Sequence, residues 1–200
     1  MCKYILIISF ILLITNGVYA EIDEKSYEPD SAAYNDVCYM PPDKVYCAIV
    51  SEDGWVRIRR NYGAYSLRSR RVSTEHILTS VSFATSDTGW VVGYKRDSTS
   101  SGLKWEGAIW KTNDQGDHWT RQTNITPQFN IPTPFLQVSA ISGKIAWISC
   151  GNGEVLKTSN YGNTWIRLSK PGGAFNYNWF WGLWAYNESI AWVCADQSGN

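Results

Sequence analysis

Histidine is scarce: His76 and His118 are the only two in 200 residues, and no Cys-x-x-Cys pair occurs. A zinc site would have to be assembled from scattered ligands. A Ser/His/Asp order, a phosphate loop and a nucleotide fingerprint are all missing. Net charge is lacking too, with 18 basic residues against 18 acidic ones, so no global field draws the chain to nucleic acid or to an anionic membrane. No metal, no cofactor and no nucleic acid is therefore expected. Long apolar runs are confined to the N-terminus, and helical 3.6-residue periodicity is absent from the rest.

What is present begins with "MCKYILIISFILLITNGVYA", which has Lys3, an apolar run from Tyr4 to Ile14, and small residues at Val18 and Ala20. That is the layout of a secretory signal, and the run is shorter than the roughly 20 residues of a membrane span. Residues 1–20 are expected to be removed after Ala20, with no stable membrane span afterwards and a secreted, extracellular product. Residues 21–36 form an acidic segment. Export leaves Cys38, Cys47, Cys150 and Cys194 in an oxidising compartment, where disulfides are expected. Three pairings are open. The expected one joins Cys38 to Cys47, placed across a turn at Pro42-Asp43, and Cys150 to Cys194, placed at equivalent strand ends in successive repeats. Asn124 and Asn187 open sequons and are candidate glycan acceptors.

The remainder, 37–200, repeats itself. "TNDQGDHW" at 112–119 returns as "TSNYGNTW" at 158–165, with Thr112, Gly116 and Trp119 matched by Thr158, Gly162 and Trp165, and Asp114 matched by Asn160. Gly107 precedes Gly116 as Gly153 precedes Gly162 and Gly54 precedes Gly63. Upstream, "VSFATSDTGW" (81–90), "VSAISGKIAW" (138–147) and "LWAYNESIAW" (183–192) align without a gap, and "VCYMPPDKVY" (37–46) fits the same frame. Short β-branched runs separated by Gly, Asn, Asp and Ser clusters predict strands, about four in each repeat of about 45 residues. The expected fold is all-β: a propeller of four-stranded blades at 37–72, 73–125 and 130–170, with a partial blade at 176–200.

The octapeptides resemble the Asp-box, or bacterial neuraminidase repeat, written Ser/Thr-x-Asp-x-Gly-x-x-Trp. With "GWVVG" and "AWISCGNG" beside them, the repeats look like those of the photosystem II assembly factor group and of sialidase-like and sortilin-like propellers. Residue by residue, the reading is structural: Asp114 or Asn160 accepts bonds from its own turn, the glycine takes a positive φ, and the tryptophan buries a ring. Because such a box recurs in every blade, it is expected to fasten the sheet and not to catalyse.

With strands labelled A to D from the axis outwards, the boxes are C–D turns, so binding is expected at the opposite end, in the B–C and D–A connections. The second repeat carries an insertion there, "YKRDSTSSGLKWEG". Ligand-binding candidates are Lys95, Arg96, Trp105, Glu106, Phe129, Phe175, Tyr177 and Trp179, since rings stack on apolar ligand faces and polar tips fix orientation. Trp181 and Trp184 are expected to pack between blades. Arg57, Arg59, Arg60, Arg68, Arg70 and Arg71 are expected to coat an outer strand, with anion binding as the alternative.

The leading expectation is a secreted binding or assembly module for a glycan or protein. A sialidase-like glycoside hydrolase, with catalytic residues partly outside this chain, is the alternative. A retaining or inverting glycosidase requires two opposed carboxyls; Glu106, Asp97 and Asp196 have no evident pairing, and Arg59 stands where the sialidase resemblance would place a proline, so no catalytic residue is assigned. An assembly chaperone for a membrane complex is a third class. Three blades and part of a fourth do not close a ring, so further blades beyond Asn200, or closure between copies, are expected.

Overall fold

The structure, a computed structural model, describes residues 32–42, 46–59, 67–99, 102–123, 133–168 and 177–197. These residues form fourteen strands and no helix. The first sheet contains β1 (Tyr34–Met40), β2 (Tyr46–Ser51), β3 (Trp55–Arg59) and β4 (Leu67–Arg71). The second contains β5 (Ile77–Phe83), β6 (Gly89–Thr99), β7 (Gly102–Thr112) and β8 (Thr120–Arg121). In the third are β9 (Phe135–Ala140), β10 (Ala146–Cys150), β11 (Val155–Thr158) and β12 (Ile166–Leu168). The last has two strands, β13 (Tyr177–Ala185) and β14 (Ala191–Gln197). Within each sheet, chain order is spatial order and every pair is antiparallel, so each sheet is a meander built from hairpins.

The sheets stack face to face and bury three apolar layers. Between the first and second lie Met40, Val50, Ile58, Leu78, Val81 and Trp110. Trp90, Ile109, Val138, Ile148, Leu156 and Trp165 fill the second layer, and Trp147, Val155, Phe180 and Leu183 the third. Both faces of the inner sheets are covered, which is why their strands read as continuous apolar runs such as "WVVG" and "AWIS".

The innermost strands are also laced together by polar side chains. A residue at one position of strand A, and the residue two further on, accept backbone N–H groups from strand A of the next sheet. Asp36 Oδ2 accepts from Val81 N at 3.0 Å, and the Cys38 sulfur is bonded by the Phe83 backbone. Ser80 Oγ accepts from Val138 N at 3.2 Å and Ser82 Oγ from Ala140 N at 3.0 Å. Gln137 Oε1 accepts from Leu183 N at 2.9 Å and Ser139 Oγ from Ala185 N at 3.0 Å. The outward edge of each innermost strand would otherwise hold unpaired N–H groups at the crowded centre of the array, and these bonds satisfy them.

The expected disulfides do not form: Cys38, Cys47, Cys150 and Cys194 are all free thiols. Register explains the first pair. Cys38 lies opposite Ala48 and Cys47 opposite Tyr39, so the two cysteines are offset by one residue and leave the hairpin on opposite faces. Cys150 is sealed in the second apolar layer, where burial pushes its thiol far above the ordinary value, while Cys194 is exposed in mid-strand opposite Gly182. Burial also pushes the Cys38 thiol up to about 12.

Candidate functional site

The two ends of the sheets are built differently. At one end lie the octapeptide turns, joining β7 to β8 and β11 to β12. Thr112 Oγ accepts from Gly116 N at 2.9 Å, and Asp114 Oδ1 accepts from Thr112 Oγ at 2.8 Å and from His118 N at 2.9 Å. The later turn repeats this wiring through Thr158, Asn160, Gly162 and Thr164. Gly116 and Gly162 hold φ of 81° and 84°, a region that side chains rarely adopt. Burial would raise the Asp114 carboxyl, but the bonds from His118 and Thr112 outweigh it and hold the group down at about 2.

Each turn is also docked. Gln115 N donates to Asp87 O and Tyr161 N to Lys144 O, both in the A–B turn of the same sheet. Trp119 meets Phe83 edge-on, and Trp165 is buried against Trp90 of the preceding sheet. A Cβ on Gly162 would stand 2.7 Å from the Trp90 ring. The arginine run serves this end as well: Arg68 and Arg70 pair with Asp117 of the neighbouring turn. Arg57, expected on a solvated strand, is buried and donates to Ser51 Oγ at 2.8 Å. Arg57, Arg68 and Arg70 therefore join elements, whereas Arg71 is exposed on the outer strand as expected and Arg60 lies outside the described residues.

At the other end the inserted segment is not a loop. β6 and β7 extend it as an unbroken hairpin paired as far as Thr99 and Gly102. Strand alternation gives this hairpin two faces. Lys95 and Glu106, opposite each other, share the charged one. Lys95 Nζ donates to Glu75 at 2.7 Å, a contact that lowers the Glu75 carboxyl and raises the Lys95 ammonium. Glu106 pairs with Arg121 and lies 4.0 Å from His76 Nε2. Burial, reinforced by Arg121, pushes the His76 ring down.

The other face is aromatic. Trp105 lies opposite Arg96, whose guanidinium sits 5.7 Å from the Trp105 ring centre. Tyr94 meets Trp105 edge-on at 5.1 Å. Trp105 in turn meets Trp179 of β13 edge-on at 6.1 Å, and Trp179 stacks on Trp181 at 5.2 Å with planes 13° apart. The second sheet thus touches the fourth over the top of the third. That contact is possible because the third sheet turns from β10 to β11 in a tight loop: a Cβ on Gly151 of that loop would lie 2.9 Å from Trp179. The long hairpin leans across this low point.

Of the sequence-derived candidates, Arg96, Trp105 and Trp179 come together, while Lys95 and Glu106 face the other way and are engaged in ion pairs. Tyr177 belongs to β13, as does Trp179; both are strand residues and not part of a connection. Phe129 and Phe175 lie outside the described residues, as do Asn124 and the leader 1–20. Asn187 sits in the turn between β13 and β14, its Oδ1 accepting from Ser189 N and Ile190 N. Tyr94 and Trp181 belong to the cluster although sequence reasoning missed them. Trp181 and Trp184, expected to pack between sheets, are 57% and 58% exposed, and no sheet among the described residues covers them. A register shift between Phe180 and Gly182 turns Phe180 inward and leaves Trp181 on the open face, while Trp184 keeps the outward-facing place that Ser82 and Ser139 hold in the earlier sheets. The period-2 alternation of Trp179 and Trp181 was the available signal. Among the described residues no group of three or more His, Cys, Asp or Glu side chains is placed to hold a metal.

Radially stacked antiparallel meanders of this kind define a segment of a β-propeller. No family model matches the chain, and no curated protein matches it in sequence. Solved structures do resemble it. YCF48 from Cyanidioschyzon merolae superposes with a TM-score of 0.54 and 21% identity over 71% of this chain and 41% of that one. YCF48 bound to D1 peptide gives 0.54 and 20% over 70% and 40%. The GH74 xyloglucanase from Xanthomonas campestris gives 0.59 and 12% over 82% and 27%. The chain thus spans less than half the length of these structures, and the likeness concerns the fold.

Proposed function

We propose that the chain is a binding segment of a secreted propeller, recognising a glycan or an extended peptide through the aromatic end of its second and fourth sheets. The observation that carries this reading is the Trp105–Trp179 contact, which joins two non-adjacent sheets into one row of rings with Arg96 beside it. Such a row offers apolar faces for a sugar ring or a side chain, and a guanidinium to orient a carbonyl or hydroxyl. The octapeptides are read as Asp-boxes on their internal wiring, in a fastening role. Of the similar structures, one is YCF48 bound to D1 peptide and another is a xyloglucanase. That is compatible with either ligand class.

Binding is favoured over hydrolysis because Glu106, beside Trp105 in β7, is engaged by Arg121 and lies 4.0 Å from His76, and a glycosidase would need an opposed carboxyl paired with it. The test is titration calorimetry of the purified chain against xyloglucan oligosaccharides, a sialylated glycan and a panel of extended peptides. One class should bind, and Trp105→Ala should weaken it about tenfold or more. Hydrolysis of a sialoside or xyloglucan abolished by Glu106→Gln would replace this reading with the enzymatic one. Residues 1–20 are taken as an export signal, and a mature N-terminus at Glu21 in the culture medium is the expected mass-spectrometric result.

A further inference from the structure

Between the first and second sheets, on the charged side of the long hairpin and away from the Trp105 row, lies a groove of about 530 Å³. Its wall includes Arg71 at the end of β4, His76 in the link to β5, Trp110 of β7, Trp119 of the octapeptide turn and Arg121 of β8. All of these belong to one internal junction of the array. The cations here outnumber the acids. Glu75 is taken by Lys95 and Glu106 by Arg121, which sets two carboxylates against three cations. Arg71 is the one left over: among the described residues no carboxylate pairs with it, and its guanidinium lies 5.9 Å from the Trp55 ring centre.

The histidine in this wall has a donor without an acceptor. Ser73 Oγ accepts from Glu75 N at 3.2 Å and from His76 N at 3.1 Å. Both of its lone pairs are thus used, and its hydroxyl hydrogen goes to His76 Nδ1, 2.9 Å away. Nδ1 is then an acceptor, and the neutral ring carries its proton on Nε2. Burial favours that neutral form. Nε2 is itself buried and finds no hydrogen-bond partner among the described residues; Glu106 stops 4.0 Å away. A buried N–H left unmet is unfavourable. The neighbouring side chains of Glu106 and Arg121 are 56% and 44% exposed, and rotations of such ends, ordinary on binding, admit an oxygen from the groove.

We propose that the groove binds the oxyanion of an acidic sugar residue, a carboxylate or a sulfate ester, with Arg71 and Arg121 sharing its oxygens and the His76 Nε2–H donating to one of them. A guanidinium presents a planar fork of donors suited to such groups, and Arg121 has N–H groups beyond the one given to Glu106. The surplus of a single positive charge fits a monoanion. A phosphate monoester, with a charge of about −1.5 to −2 at neutral pH, would be left undermatched. The sugar ring also has a wall to lie on: Trp119 already donates its indole N–H to Gly116 O at 3.2 Å, so it offers the groove its ring carbons, a surface for the C–H face of a pyranose. This site is separate from the aromatic row, which occupies the opposite face of the hairpin, and it does not rest on the function proposed there.

The test is an NMR titration of the purified chain with methyl glucuronoside, glucose 6-sulfate, neutral methyl glucoside, glucose 6-phosphate and an acidic peptide. The expected result is a saturable response of the His76 ring and Trp119 indole resonances to one or both of the first two, which also tells carboxylate from sulfate. Arg71→Gln should weaken that binding about tenfold or more with the circular dichroism of the sheets unchanged, since the side chain is exposed. His76→Phe keeps a ring against Trp110, which His76 meets edge-on at 5.2 Å, and should bring a smaller loss; if it fails to fold, Arg71→Gln decides alone. The proposal is overturned by silence toward both acidic sugars, by an equal response to the neutral glucoside, by tighter binding of the phosphate, or by indifference to Arg71→Gln. Loss of the acidic sugar in Trp105→Ala overturns it as well, by assigning that ligand to the aromatic row. So does an acidic peptide that moves the same resonances while the sugars do not.

Discussion

The octapeptide end and the hairpin end of the second sheet share one strand, β7, paired with β8 at the first and with β6 at the second, yet one is closed and the other open. At the octapeptide end a hydroxyl, a carboxylate and a positive-φ glycine satisfy one another within eight residues and Trp119 packs against Phe83, and in the matching turn of the third sheet the ring of Trp165 disappears against the preceding sheet. At the hairpin end the rings of Trp105, Trp179 and Trp181 touch one another but keep a face to solvent. What differs is whether the rings are covered by a neighbouring sheet. Burial makes a tryptophan a fastener, and exposure beside a cation makes it available to a ligand.

That contrast can be broken most severely at Trp165. Replacement by alanine removes a ring that is 1% exposed and leaves a cavity against Trp90, at a cost of about 3–5 kcal/mol in chemical denaturation. Gly162→Ala should cost about 2 kcal/mol, since alanine is penalised at positive φ and its methyl would enter the Trp90 ring. At the open end the balance reverses. Trp181→Ala, at 57% exposure, should change stability by no more than about 0.5 kcal/mol while weakening the ligand identified by calorimetry. A loss of stability comparable to that of Trp165→Ala would mean that the two ends are not distinct.

The smallest effect is expected at Asp114. Its carboxyl is held below the unfolded value, so its contribution is present at neutral pH, begins to fade as pH falls below about 4, and is lost through about 2. Asp114→Asn should therefore flatten the acid limb of the thermal midpoint between pH 4 and pH 2 and leave pH 7 nearly unchanged, because its amide oxygen can still accept from Thr112 and His118 as Asn160 does from Thr158 and Thr164. A substantial loss at pH 7 would show that the negative charge, and not the acceptor geometry, secures the turn.

Much of this architecture was legible because a repeat is a local statement made several times. The glycine spacing placed the turns, and the alternation of Val, Ile and Trp placed the strands of the second and third sheets. The candidate site was legible only in part. Arg96, Trp105 and Trp179 stood out because aromatic and cationic residues interrupt the repeat, and they come together in the structure. Lys95 and Glu106 were misassigned because a one-residue step along a strand reverses the face. Trp181 was misread because the register shift before Gly182 leaves no mark in the residues themselves; the Cys38–Cys47 pairing failed on an offset of a single position, and Cys150–Cys194 because one thiol is buried and the other exposed.

The sequence by itself determined the unit: four short strands, a self-satisfying turn and a conserved place for one large ring in each repeat, since all of these rest on interactions between residues close along the chain. Only the tertiary structure decided which rings are covered. Burial of Trp90, exposure of Trp192 and the meeting of Trp105 with Trp179 depend on how successive sheets stack and on which of them is low enough to be crossed. Those are distances between segments far apart in the chain, and no local pattern encodes them.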